Sequence, residues 1–272
     1  MFGHEFMRNA FLAGSFVALA CGLVGYFVVL RSQVFAGDAL SHVAFTGALA
    51  AAAAGIDIRL GLFAATIALA VGMGLLGERA RPDDAVIGSV FAWVLGLGVL
   101  FLSSFTSGSS GENGTAAVRV LFGSILGLSA ADARLAAVIG LAAALVLLLI
   151  ARPLLFSSLD PGVARSLGVP LRVLGVGFLA LLAVVAAEAT QAVGALLLLG
   201  LLAAPGGAAR LLTDHPWRGL ALSAAIALGS MWGGLVLSYE VDSLPPSFAV
   251  IGLATAAFGL AAASRYGTRI EV

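Results

Sequence analysis

Charge is what this chain has least of. Asp, Glu, Lys and Arg make up 10% of its 272 residues, against about a quarter in a soluble domain, so it is short of the polar surface that a water-soluble fold needs. Lysine is missing altogether: all 14 basic residues are arginine, and 14 acids balance them to a formal net charge of zero. That balance offers no basic face to nucleic acid. The single cysteine, Cys21, excludes an internal disulfide and a cysteine-built metal centre. No Gly-x-x-x-x-Gly-Lys-Ser/Thr phosphate loop and no second, polar domain is found, so residues 1–272 read as one unit. If the chain moves a solute with ATP, the ATPase is another chain.

What fills the sequence instead is apolar. Hydrophobic residues reach 61%, and the mean hydropathy is +1.11. Runs long enough to cross a bilayer recur throughout, without the two-residue alternation of a membrane barrel. The expected fold is an all-α polytopic membrane protein of about nine transmembrane helices, with eight to ten allowed by the short segments. The spans fall near 6–30, 39–54, 60–77, 85–102, 132–151, 171–188, 192–212, 217–238 and 246–263. The first reads as a retained span, because its apolar run continues to Leu30 past the Ala-Leu-Ala-Cys at 18–21. Small-residue clusters such as Gly96-Leu97-Gly98 permit the close helix approach that membrane packing relies on. Pro205-Gly206-Gly207 is where the 192–212 span is expected to break.

Arginine sets the orientation. With the 152–172 connection in the cytoplasm, Arg31, Arg79, Arg81, Arg152, Arg165, Arg172, Arg210, Arg218, Arg265 and Arg269 lie inside, and Arg8, Arg59, Arg119 and Arg134 outside. The ratio of ten to four follows the positive-inside tendency, with the N-terminus outside and the C-terminus inside. Residues 103–131 form a long outer connection. Its apolar piece, Val118 to Leu128, is too short to span and is expected to be a re-entrant or interfacial helix packed against protein.

A few ionisable residues stand out in this setting. Asp38 and His42 lie four apart where the second span is expected to open, so they share one helical face. Ionisable groups at membrane depth face a pathway or a partner, and a carboxylate with an imidazole suits a divalent transition metal. The plainer readings are a helix cap for Asp38 and a hydrogen bond within the bundle for His42. Glu188, Thr190 and Gln191 form the next polar cluster, a second pathway candidate or a hinge. Between 160 and 170, Asp160 can cap a short helix beginning at Pro161, and Gly168 can end it before Pro170. That segment is either a tight connecting loop or a cytoplasmic helix able to press into a partner.

Taken in order, these residues resemble the membrane permease subunits of metal-ion ABC importers, the ABC-3 family. The landmarks run nearly end to end: Phe6-Met7-Arg8-Asn9-Ala10, Gly37-Asp38-Ala39-Leu40-Ser41-His42, Asp84-Ala85-Val86-Ile87-Gly88, Leu121-Phe122-Gly123-Ser124-Ile125-Leu126-Gly127, Val193-Gly194-Ala195-Leu196-Leu197 and Ser243-Leu244-Pro245-Pro246-Ser247. Ala164-Arg165-Ser166-Leu167-Gly168-Val169-Pro170 also resembles the coupling segment of vitamin B12 and siderophore importers. Pro246-Ser247 departs from the family pattern, which has a small residue followed by glycine.

The resemblance implies a type II ABC importer-like fold in the bacterial cytoplasmic (inner) membrane. It implies two copies, or this chain with a paralogous permease, around a central pathway. A cytoplasmic ATPase dimer consumes the ATP, and an extracytoplasmic binding protein delivers zinc, manganese or iron(II). The subunit itself is a transport component without a permanently bound cofactor. Under this resemblance Asp38 and His42 line the route, with Glu188 and Gln191 as further metal contacts. Asp160, Ala164, Arg165, Leu167 and Gly168 meet the ATPase. Arg59, Arg119 and Arg134 receive acidic residues of the binding protein, or else serve as interfacial anchors. Histidine binds metal only as the neutral ring, so a metal role for His42 predicts weaker transport at acid pH. A siderophore or vitamin B12-type permease is the near alternative. A gradient-driven secondary transporter is the farther one, and it lacks the support of an internal repeat.

Overall fold

The computed structural model describes the backbone of residues 3–76, 84–107, 121–196, 198–241 and 243–270, and the side chains of all these except 84, 105–107 and 266–270. Arg79, Arg81, Arg119 and much of the 103–131 connection lie outside the described residues. Ten α-helices, and no strand, occur among the described residues: α1 (Glu5–Leu30), α2 (Val34–Ala53), α3 (Ile58–Leu76), α4 (Asp84–Ser107), α5 (Ala130–Leu159), α6 (Pro161–Ser166), α7 (Leu171–Val193), α8 (Leu198–Leu212), α9 (Pro216–Glu240) and α10 (Pro246–Ile270). Eight of them, all but α6 and α8, are long and apolar enough to cross a membrane, and α8 is a shorter apolar helix. The chain is a multi-pass, all-helical membrane protein.

Helix α1 is the axis of the bundle, packing against α5, α7, α8 and α9. Glycine makes that possible at its closest crossing: a Cβ on Gly206 of α8 would lie 2.7 Å from the Gly25 carbonyl oxygen. This is also why Pro205-Gly206-Gly207 does not break the span as the sequence suggested. Pro205 sits inside α8, and the small residues around it form a contact surface against α1. The break falls earlier, at Gly194, where φ is +98° and ψ is 152°, a conformation essentially reserved for glycine.

The stretch from Leu121 to Gly127, which ends in a short 3₁₀ turn at Ile125–Gly127, packs into this break. The Ser124 N–H donates to the Gln191 carbonyl at 3.2 Å and the Leu196 N–H to the Leu121 carbonyl at 3.3 Å. The Ser247 hydroxyl, at the start of α10, donates to the Phe122 carbonyl at 2.9 Å. Backbone groups that lipid would leave unsatisfied are thus bonded within protein.

Helix α2 begins at Val34, more than a turn before the expected start at 39. The α1–α2 turn is complete by Gln33: the Gln33 N–H donates to the Val28 carbonyl at 2.8 Å and the Ser32 N–H to Val29 at 3.2 Å, closing a Schellman-type turn with Ser32 left-handed at φ +57°. No proline and no positive-φ residue follows until Gly55, at φ +70°, so the helix starts as soon as the turn ends. Helix α4 packs on α2 and leaves most of its own surface exposed, including Trp93, Val99 and Leu100.

Candidate functional site

Because α2 starts early, Asp38 lies within the helix and not at its cap. Its carboxylate and the His42 ring share one face, with Nε2 4.0 Å from Oδ1, and the side chains are 27% and 14% exposed respectively. The imidazole leans edge-to-face on Phe91 of α4, centroids 5.1 Å apart, and Phe91 in turn meets Phe35 at 6.0 Å. An aromatic wall therefore backs the ring, which keeps only a small exposed part. Ser41 turns the opposite way: its hydroxyl is buried and donates to the Asp38 carbonyl at 2.7 Å, so it forms no nucleophile pair with His42. Among the described residues no group of three or more His, Cys, Asp or Glu side chains converges on one point.

Glu188 and Gln191 do not join them. Glu188 lies near the end of α7 and is 3% exposed, and Arg59 holds it: Arg59 Nη2 donates to Glu188 Oε1 at 3.0 Å and Nη1 to Asp132 Oδ1 at 3.1 Å. Asp132 belongs to the first turn of α5, where the Ser129 hydroxyl donates to its Oδ2 at 2.6 Å and accepts from its N–H at 3.2 Å. Arg59 opens α3, beyond the far end of α2, about 22 Å along that helix from Asp38. The network thus ties α3, α5 and α7 at the end of the bundle remote from Asp38. Gln191 lines a cavity of about 210 Å³ beside it, with Arg59, Ser124 and Leu128. Of the arginines expected to meet a binding protein, Arg59 is engaged by its own chain, Arg134 is exposed, and Arg119 is not among the described residues. The partnership of Arg59, Asp132 and Glu188 was missed from sequence.

At the other end, α6 stands between α5 and α7. Asp160 Oδ1 accepts from the Gly162 N–H at 2.9 Å and from Val163 at 3.0 Å, with Pro161 as the first helical residue. The helix closes with Gly168 N–H to the Arg165 carbonyl and Val169 N–H to Ala164, each at 3.0 Å, around Gly168 at φ +78°. This is a Schellman stop. Ala164 is buried against the bundle, whereas Val163, Arg165 and Leu167 are exposed. A capped stub therefore presents two apolar side chains and a cation.

The family model described as the ABC 3 transport family matches residues 3–265. The manganese transport system membrane protein MntC of Halalkalibacterium halodurans is 30% identical over 264 residues, covering 96% of this chain and 88% of that protein. The chelated iron transport system membrane protein YfeD of Yersinia pestis is 29% identical over 242 residues, covering 89% and 80% respectively. Among solved structures, a chain of PsaBC from Streptococcus pneumoniae in complex with Fab has a TM-score of 0.81 at 24% identity, covering 95% of this chain and 91% of that one. That likeness is one of fold.

Proposed function

The chain belongs to the ABC 3 transport family, and from that premise we propose that it is the membrane-spanning permease of an ATP-driven importer of manganese(II) or iron(II), with zinc as a competing cargo. The observation that carries the reading is the Asp38–His42 pair: two donors for a divalent ion on one partly exposed face of a membrane helix. Two copies of the chain, or this chain and a paralogue, would oppose two such pairs across the pathway. Four mixed oxygen and nitrogen donors replace much of an ion's water without a cage tight enough to trap it. The importer sits in a bacterial cytoplasmic membrane with the α6 end inward, as the arginine distribution asks. A separate ATPase dimer docks on α6 through Val163, Arg165 and Leu167, and its cycle opens the pathway to one side at a time. An extracytoplasmic binding protein delivers the ion at the opposite end.

The test is uptake of manganese(II), iron(II) and zinc by vesicles that contain the chain, its ATPase and its binding protein. Asp38→Ala and His42→Ala should each cut ATP-dependent uptake at least about tenfold, with the complex still assembled. Undiminished uptake in both variants would leave these residues structural. A relative named for chelated iron motivates a second reading, transport of a metal chelate. Uptake of a ferric chelate with no uptake of free ions would favour it.

A further inference from the structure

Arg31 closes α1 at the α6 end of the bundle, and it is only 7% exposed. Its Nη1 donates to Ser157 Oγ at 3.3 Å and to Ser158 Oγ at 3.2 Å. Both serines lie in the last turn of α5, just before Asp160. Each hydroxyl spends its own proton on the Leu154 carbonyl, at 2.9 and 2.6 Å, which turns the oxygen lone pairs toward the guanidinium. The Arg31 Cζ stands 5.4 Å from the ring centroid of Phe178 in α7, and that ring meets Phe27 of α1 edge-on at 6.3 Å. Finally, Arg31 Nε donates to Oε1 of Gln33 at 3.3 Å, the residue from which α2 starts.

Helices α5 and α7 are the two legs of the hairpin whose tip is α6. One side chain therefore grips both legs of that hairpin and the N-cap residue of the helix that carries Asp38 and His42. The backbone beneath it is held too, with Ser32 kept left-handed at φ +57°, a strain that only a well-packed turn sustains. A buried guanidinium is costly to keep out of water unless its contacts persist. The hairpin and the α1–α2 turn are thus joined through one buried side chain.

We propose that Arg31 is the positioning residue that carries a displacement of α6 to the Asp38–His42 face. This rests on the reading of α6 as the ATPase contact. When α6 is pushed, Ser157, Ser158 and Phe178 move the guanidinium, and Gln33 moves the start of α2, five residues before Asp38. Without that grip the α1–α2 turn would absorb the motion.

The experiment measures manganese(II) uptake and ATP hydrolysis together, in vesicles holding the complete complex with the wild-type or the Arg31→Lys chain. Lysine keeps the charge, but it cannot present a fork to both serines and Gln33 or lay a plane on Phe178. Hydrolysis should stay within about twofold of wild type while uptake per ATP falls about tenfold. Ser157→Ala/Ser158→Ala, which leaves Arg31 in place, should show the same split more mildly. Uptake and hydrolysis falling in proportion, or an unchanged ratio in both variants, would overturn the proposal. If the wild-type complex moves no metal at all, the importer reading falls and this one with it. A wild type that transports, beside variants that keep its ratio, refutes Arg31 alone.

Discussion

Arg59 answers to two carboxylates at once, Asp132 from α5 and Glu188 from α7. Such a pair adds little over a well-packed apolar substitute, yet removing one partner strands the other, at a cost of about 3–5 kcal/mol. Glu188 is the partner out of water at 3% exposure, whereas Asp132 is half-exposed and already bonded to Ser129. Glu188→Gln should therefore lower the melting temperature of the detergent-purified chain clearly, and Arg59→Met should do the same. The double variant should lose less than the sum of the two, because the stranded charge is gone. Strictly additive losses in that cycle would mean that the contact is not energetically coupled. None of this was legible in sequence, where Arg59 read as a docking arginine or an interfacial anchor and Glu188 as a pathway carboxylate or part of a hinge. The two are 129 positions apart, and no local spacing records a bond closed by folding. Asp38 and His42 were legible because a four-residue spacing on a helix is a local fact.

At the level of elements, two left-handed glycines have different jobs. A Cβ on Gly168, which ends α6, would meet nothing within 4 Å. A Cβ on Gly194, between α7 and α8, would run into the Phe122 backbone and lie 2.6 Å from the Gly123 nitrogen. Gly168→Ala should thus cost about 1 kcal/mol, the conformational penalty alone, and leave a folded chain. Gly194→Ala adds a main-chain overlap that cannot relax without expelling the 121–127 segment, so it should give little monodisperse protein on size exclusion in detergent. A Gly194→Ala chain with wild-type yield and melting temperature would show that the segment is not held as tightly as its bonds suggest. The end of α6 was readable because Asp160, Pro161, Gly168 and Pro170 are local signals for start and stop. The α7–α8 break was misplaced at Pro205 because a proline's effect depends on what packs around it. Here Gly206 needs contact with Gly25, and the helix runs on.

The whole molecule was legible where the solvent decides and obscure where one helix meets another. Apolar runs near twenty residues report the bilayer directly, whereas the central place of α1 depends on methyl-sized gaps that no hydropathy window sees. One consequence belongs to the whole assembly. Among the described residues a single chain brings only Asp38 and His42 together at the proposed pathway face, while a stable first shell takes four to six donors. The face that carries them is still partly open in one chain, and α4 beside it exposes Trp93 and Val99. If a second copy completes the shell, the purified dimer should bind one manganese(II) per two chains, read by electron paramagnetic resonance during titration. His42→Ala, which removes two donors from the joint site, should abolish that binding and leave the dimer intact. One ion per chain would mean that each pair works alone, with water filling the remaining positions, and the shared pathway between two copies would then have to be abandoned.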